Sequence, residues 1–433
     1  MFNAAIYQTR RDRLAAQLGD GIAIIATAPE ATRNRDSHYP YRFDSYFYYL
    51  TGFTEPEAVV VIIGGASPRS LLFCRDKDET REIWDGFRYG APAAQEKFAF
   101  DAAYSIDELD SQLPELMGNV GKLAYAVGFD AAWDARVLGW LKAVRGKARQ
   151  GIRAPTDIID VRAALDEMRL FKDSHEINTM RRSGQIASDA HRRAMRASQP
   201  GRFEYEIEAE LLHHFYAQGA QSPAYTSIVA GGSNACVLHY VDNRATLNDG
   251  DLLLIDAGCE LDGYASDITR TFPVNGRFSP AQKDAYEIVL AAQAAAIEIV
   301  RSGNPWIAPH CAAVRVLVQG MVDLKLLNGS VDGLIESEAY SRFYMHRTGH
   351  WLGLDVHDAG EYKVDGEWRA LQPGMTLTVE PGLYIRPADD VPQALWNIGI
   401  RIEDDVLVTE GGVEVLTSAP RTVAEIEDWM RSA

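Results

Sequence analysis

Apolar residues along this chain fall into two textures. In the first third, short β-branched runs stand alone. Residues 21–28 (GIAIIATA) and 58–64 (AVVVIIG) each stop at a Gly or before a Pro, the pattern of strands buried on both faces. Residues 70–75 and 124–129 read as two further strands. The tract RNRDSHYPYRFDSYFYYLTGF between the first two is polar and aromatic, and reads as a loop. From Ser174, read as a helix cap, the spacing turns helical and runs to about Ala197, where Pro200-Gly201 stops it. Residues 205–218, 280–301 and 309–327 carry three more helices. A strand, hairpin and strand follow Tyr225, and the C-terminal quarter is strand and turn, with Pro-Gly pairs at Pro373-Gly374 and Pro381-Gly382. The order predicts an α/β unit followed by an α+β unit, parted beyond the basic tract 145–157 (RGKARQGIRAPTD).

A length of 433 residues agrees with that division, being about twice what one core organises. The net charge of −18 disfavours nucleic acid and anionic membrane, both of which need a basic footprint. Four scattered cysteines (Cys74, Cys236, Cys259, Cys311) form no CxxC pair, so a structural zinc or a disulfide framework is not expected and a reducing compartment is. The N-terminus places charges where a signal peptide needs an apolar stretch, and no run reaches the length of a membrane span. A cytoplasmic protein is expected.

A repeat lies in the second part. Leu247–Gly258 (LNDGDLLLIDAG) can be laid over Leu371–Gly382 (LQPGMTLTVEPG) with six of twelve positions alike in type. Each copy is a turn, an apolar strand, then a carboxylate just before another turn. Asp256 ends one and Glu380 the other, and each is followed by a second acid in a strand context, Asp267 in YASDITRTF and Glu403 in GIRIEDDVLV. A lone acid in a strand usually faces solvent. These end runs apolar enough to be buried on both faces, where a carboxylate is costly unless paired or metal-bound. Arg270 and Arg401 are the main nearby cations. Two divalent ions would balance four carboxylates and activate water, the arithmetic of a two-metal hydrolase.

Histidines supply the remaining donors. Three of ten, His346, His350 and His357, fall in MHRTGHWLGLDVHD, and His239 lies in CVLHY shortly before Asp256. One imidazole among four carboxylates is a hard, oxygen-rich set that suits Mn²⁺ and also accepts Co²⁺ or Zn²⁺. GxGxxG, GxxxxGK[ST], HExxH and GxSxG are all missing from the chain.

The order Asp, Asp, His, Glu, Glu in LIDAG, SDITR, GHWLGLDVHD, TVEPGLY and RIEDD resembles the pita-bread metallopeptidases, and within them the bacterial aminopeptidase P type. TRNRDSHYPYRFDSYFYYLTGFTEPEAV resembles that family's N-terminal domain, while HRTGH departs from the usual HGxSH. The resemblance implies an N-terminal domain over residues 1–165 and a pita-bread catalytic domain with a pseudo-two-fold repeat over 170–433. It implies removal of the residue before a proline. Asp267 and Glu403 would bridge two ions, Asp256 would hold one, and His350 with Glu380 would complete the other. His239 and His357 would support the tetrahedral intermediate, Glu380 would carry a proton to the proline nitrogen, and Arg401 would orient the ligands. His346 and Tyr362 would line the substrate pocket, and Asp36 would reach the substrate's amino terminus at an active site, its own or a neighbouring subunit's. Dimers or tetramers are the family's assemblies. The alternatives are a prolidase acting on dipeptides alone and, from another class, a metal-free peptide-binding module. Phosphotriester hydrolysis would be a side activity. The connection from His357 to Glu380, whose only cations are Lys363 and Arg369, is short for a dipeptidase lid and favours the aminopeptidase.

Overall fold

The computed structural model describes residues 2–432 and divides into two compact units, Met1–Met168 and Arg169–Ala433. The first is built on a six-stranded sheet in the order Ala102–Ser105, Arg69–Cys74, Val59–Ile63, Gly21–Ala26, Lys122–Ala124, Asp157–Ile159. The Gly21–Ala26, Val59–Ile63 and Arg69–Cys74 strands pair antiparallel, and the outer pairings are parallel. Ile22, Ile24, Val59, Val61, Leu71 and Phe73 pack with Leu113, Trp140, Leu141 and Val144 from the helices Leu109–Leu116 and Ala131–Gly146.

Three expectations change in this unit. The strand placed at 124–129 occupies Lys122–Ala124 instead. Two edge strands escape the pattern because Ala102–Ser105 has no β-branched residue and Asp157–Ile159 is exposed throughout. The aromatic tract contains a helix, Ser45–Thr51, capped by Asp44, whose carboxylate accepts from Phe47 N at 2.9 Å. Its C-terminal carbonyls are met by buried arginines of the helix Ala4–Leu18: Arg10 donates to Tyr49 O at 3.1 Å and Arg11 to Leu50 O at 3.0 Å, satisfying groups a helix end leaves unpaired.

The second unit opens with the helix Ser174–Ala197. Its cap is Asp173 rather than Ser174, in a reciprocal box with Glu176. Helices Glu204–Ala217, Pro280–Ile299 and Ala308–Asp323 follow. Two antiparallel hairpin systems form the centre. In one, Leu252–Asp256 lies between Ile228–Gly231 and Thr269–Pro273. In the other, Thr376–Val379 pairs with Asp404–Thr409, and Gly382–Ile385 pairs with Ile398–Arg401. Leu253, Ile255, Phe272, Leu377, Val379, Ile400 and Val406 share one core with Val289 and Leu317 of the helices, each contributing about 1.5–3 kcal/mol by burial. The two copies meet where Glu403 N donates to Thr269 O at 3.0 Å and Thr271 Oγ1 to Arg401 O at 3.0 Å. No helix among the described residues is long and apolar enough to cross a membrane.

Candidate metal centre

Close backbone approaches bring the acids together. After Asp256 the chain turns at Gly258, where a β-carbon would lie 1.6 Å from Ser266 O. Only glycine permits that return, which sets Asp267 beside Asp256. In the second copy, His350 O accepts from Thr378 N at 3.0 Å and Thr348 O from Glu380 N at 2.8 Å. The segment 348–352 thereby lies along Thr376–Val379. Gly349 allows the contact, since a β-carbon there would stand 2.1 Å from Thr378 O.

The result is one buried cluster. His350 Nε2 lies 3.4 Å from Asp267 Oδ2 and 3.8 Å from Glu380 Oε1. Asp267, His350 and Glu403 offer ligand atoms all within 4.8 Å of one another. Asp256, Glu380 and these three line a single cavity of about 470 Å³, with His239, His346, His357, Arg401 and Tyr225. Of the two expected cations, only Arg401 serves the cluster: its Nη2 donates to Asp256 Oδ2 at 2.6 Å. Arg270 instead pairs with Asp404 at 2.6 Å and donates to Glu403 O at 2.5 Å.

The electrostatics call for more positive charge than one arginine gives. Burial, with Asp267, Glu380 and Asp256 nearby, pushes Glu403 well above the usual carboxylate range. Burial raises Glu380 to about 7 against the pull of His350 and Arg401, and burial also raises Asp267. His350 is lifted to about 9, because Asp267 and Glu380 outweigh the burial that opposes its charge. The Tyr225 hydroxyl lies 2.6 Å from Asp256 Oδ1 and 2.5 Å from Asp267 Oδ1. It has one hydrogen for two carboxylates, so the second contact repels unless an acid is protonated or a cation sits there. A hard dication among four carboxylates and an imidazole fits this set.

The remaining candidates are placed as follows. The His357 ring lies edge-on to His350, centroids 4.2 Å apart. His357 precedes Asp358, a buried acid gripped by Arg169 at 2.5 Å and Lys172 at 2.8 Å. Burial alone would raise Asp358, but Lys172 and Arg169 hold it below the usual carboxylate range. His346 Nδ1 is 3.7 Å from Glu380, and its Nε2 bonds the Tyr384 hydroxyl at 2.8 Å. Tyr362 accepts from Trp351 N at 3.2 Å and stacks on Trp351; it is not among the residues lining the cavity. Asp36 belongs to the first unit, exposed at the turn between the short strands Thr32–Asn34 and Ser37–His38.

Sequence reading missed Tyr225, Thr269 and Asp405. Thr269 Oγ1 donates to Glu403 Oε2 at 2.6 Å, and Asp405 Oδ2 accepts from Asp267 N at 3.1 Å. A tyrosine just before an apolar strand or a threonine within one reads as packing, and the only available signal was the doubled acid in RIEDD.

Hairpins that place carboxylates around one imidazole define a metal-dependent hydrolase site. Residues 178–410 match metallopeptidase family M24 and residues 7–125 match the aminopeptidase P N-terminal domain, and the chain belongs to that metallopeptidase family. It is 48% identical over 431 residues to the Xaa-Pro aminopeptidase of Escherichia coli (strain K12), covering 99% of this chain and 98% of the relative. The solved structure of Pseudomonas aeruginosa aminopeptidase PepP superposes with a TM-score of 0.98 at 50% identity, covering 100% of this chain and 98% of that one. A Zn-substituted Escherichia coli aminopeptidase P in complex with product gives a TM-score of 0.97 at 46% identity, covering 100% and 99%. Family and donor set together imply divalent metal ions at this site.

Proposed function

We propose that the chain removes the N-terminal residue from peptides whose second residue is proline, with two divalent ions, Mn²⁺ first and Co²⁺ or Zn²⁺ as alternatives. It is a metallo-aminopeptidase. The observation that carries this reading is the convergence of Asp256, Asp267, His350, Glu380 and Glu403 on one cavity, in a chain that matches Xaa-Pro aminopeptidases along nearly its whole length.

In this reading Asp267 and Glu403 would serve both ions, Asp256 would hold one, and His350 with Glu380 would hold the other. When bound, such ions supply Lewis acidity towards the scissile carbonyl and lower the pKa of water. The chain's own groups do the rest. His239 and His357 present N–H donors to the charge that develops on the carbonyl oxygen. Glu380 carries a proton to the prolyl nitrogen, which must be protonated to leave. Arg401 orients Asp256 by a charge-assisted hydrogen bond at 2.6 Å. His346 lines the side that receives the proline, Tyr362 acts from outside the cavity by stacking on Trp351 next to His350, and Asp36 selects for a cationic amino terminus.

The domains are residues 1–165 and 170–433, and the working form is a homodimer or homotetramer in the cytoplasm. Peptides are the partners, and nucleic acid and membrane are not. Hydrolysis of matched peptides with proline or alanine second, with Mn²⁺ added and then removed by chelation, tests the proposal. Cleavage confined to the proline peptide and lost on chelation is expected. Equal cleavage of both, or turnover indifferent to chelation, would overturn it.

A further inference from the structure

The loop that carries His239 is tied at both ends to one buried acid. Residues 237–245 form no helix or strand, His239 itself is exposed, and Val237 and Val241 beside it are about half exposed at 46% and 49%. The ring has no packing of its own, although Leu238 and Tyr240 on either side of it rest on the core and buried Asn243 bonds Val229 N and Ser227 O. Glu204, the first residue of the helix Glu204–Ala217, is 0% exposed beneath this loop. Its Oε1 accepts from Gly231 N at 2.8 Å and Asn234 Nδ2 at 2.9 Å. Its Oε2 accepts from the Tyr240 hydroxyl at 2.8 Å and Ala245 N at 2.8 Å.

Two of these donors precede His239 and two follow it, and all four are neutral. The backbone completes the anchor: Glu204 N donates to Ala245 O at 3.0 Å, and Leu247 N to Arg202 O at 2.7 Å. A carboxylate buried among neutral groups is retained at a cost. What it obtains here is a four-point grip on both ends of a loop without regular structure, with charge-assisted bonds that are short and directional.

We propose that Glu204 is a positioning residue for the reaction, closing the 231–245 loop so that His239 is presented to the cavity. The inference rests on the role given to His239 above. It also explains why a wholly buried acid sits at the start of a helix and outside the ligand set.

The test is a double-mutant cycle of Glu204→Gln with His239→Ala, read together with amide hydrogen exchange of the metal-loaded enzyme. Glutamine keeps the shape but must turn its NH₂ towards one pair of donors, so at least one N–H meets another. Glu204→Gln is expected to lower kcat by about 10–100-fold, with KM and metal content unchanged and faster exchange over residues 231–245. Added to His239→Ala, it should lower kcat far less, because the group it positions is gone. Equal fold losses in both backgrounds, or unaltered exchange in the loop, would overturn the inference. Full turnover by His239→Ala would overturn the role of His239 instead, and the exchange data would still decide whether Glu204 holds the loop. If Glu204→Gln fails to fold, Tyr240→Phe removes a single donor: slower turnover with faster loop exchange supports the proposal, and no change in either contradicts it.

Discussion

Arg401 Nη2 lies 2.6 Å from Asp256 Oδ2, so the second hairpin copy supplies the cation for the first copy's acid. The same guanidinium donates to the Tyr384 hydroxyl at 3.0 Å and reaches Thr269 Oγ1 at 3.2 Å. One planar fork thus spans a candidate ligand, a neighbour of His346, and the threonine that bonds Glu403. Arg401→Lys keeps the charge but cannot reproduce that fork. Activity should fall by about 10–100-fold, with weaker metal retention at the ion held by Asp256. Wild-type kinetics and metal content in Arg401→Lys would show that charge alone suffices.

The ligand assignment makes unequal demands on the acids. Glu403→Ala and Asp267→Ala should each lose both ions and all activity, because in the proposed assignment each carboxylate would serve both ions. Asp256→Ala should lose mainly one. Elemental analysis of the purified variants decides the matter, and two ions retained in Glu403→Ala would refute the bridging assignment.

Much of this centre was legible because its chemistry contradicts its surroundings. Asp256 and Glu380 end runs as apolar as LLLID and LTVE, and an acid there needs a partner. The internal repeat was readable for the same reason, since each copy ends in an acid and a turn. What stayed hidden depends on contacts across long separations. Tyr225 bonds Asp267 and Thr269 bonds Glu403, yet a tyrosine in a connecting segment and a threonine in a strand are both ordinary. Arg270 had the right charge and a nearby position in sequence. Its side chain nevertheless points to Asp404 and to the carbonyls of Ala419 and Pro420, a direction that strand alternation alone does not reveal. In the first unit, Ser45–Thr51 was masked because the aromatic run SYFYYL satisfies strand and helix patterns equally. Its cap at Asp44 becomes decisive only once the buried arginines meet its far end.

Acid should destabilise the fold partly through His191. This ring is fully buried, bonds Ala257 O at 3.0 Å, and has no partner for Nδ1. Burial pushes its pKa down from 6.5 to about 4, with Arg270 acting in the same direction and Ala257 O against it. Between pH 6.5 and 4 the unfolded chain therefore binds a proton that the folded chain refuses. Stability from this group is complete above pH 6.5 and is lost as pH falls through that window, by about 3 kcal/mol in all. His191→Gln should flatten the fall in urea midpoint between those pH values relative to wild type. Parallel curves for the two proteins would exclude the histidine as a source.

Asp36 is the one candidate in the first unit. Were it to select for the substrate's amino terminus, Asp36→Asn should raise KM about tenfold, the loss of roughly one partly exposed charge contact. Metal content and kcat would be unchanged. A kinetically silent Asp36→Asn would leave the residue as a turn former beside Arg35, whose φ is +37°.

The most direct test of the account is kcat/KM for a tripeptide with proline second against the matching dipeptide, on metal-loaded enzyme. A dipeptidase must neutralise a free carboxylate beyond the proline and close over it. Before the strand Thr376–Val379, the connection from His357 towards Glu380 instead holds a hairpin of two-residue strands, Lys363–Val364 with Glu367–Trp368. Its cations are occupied: Lys363 lies over the Trp368 ring and Arg369 donates to Glu361 O at 2.9 Å. The account predicts that the tripeptide is cleaved at least as efficiently as the dipeptide. A preference for the dipeptide of about tenfold or more, some 1.4 kcal/mol of transition-state binding, would contradict it and make the enzyme a prolidase.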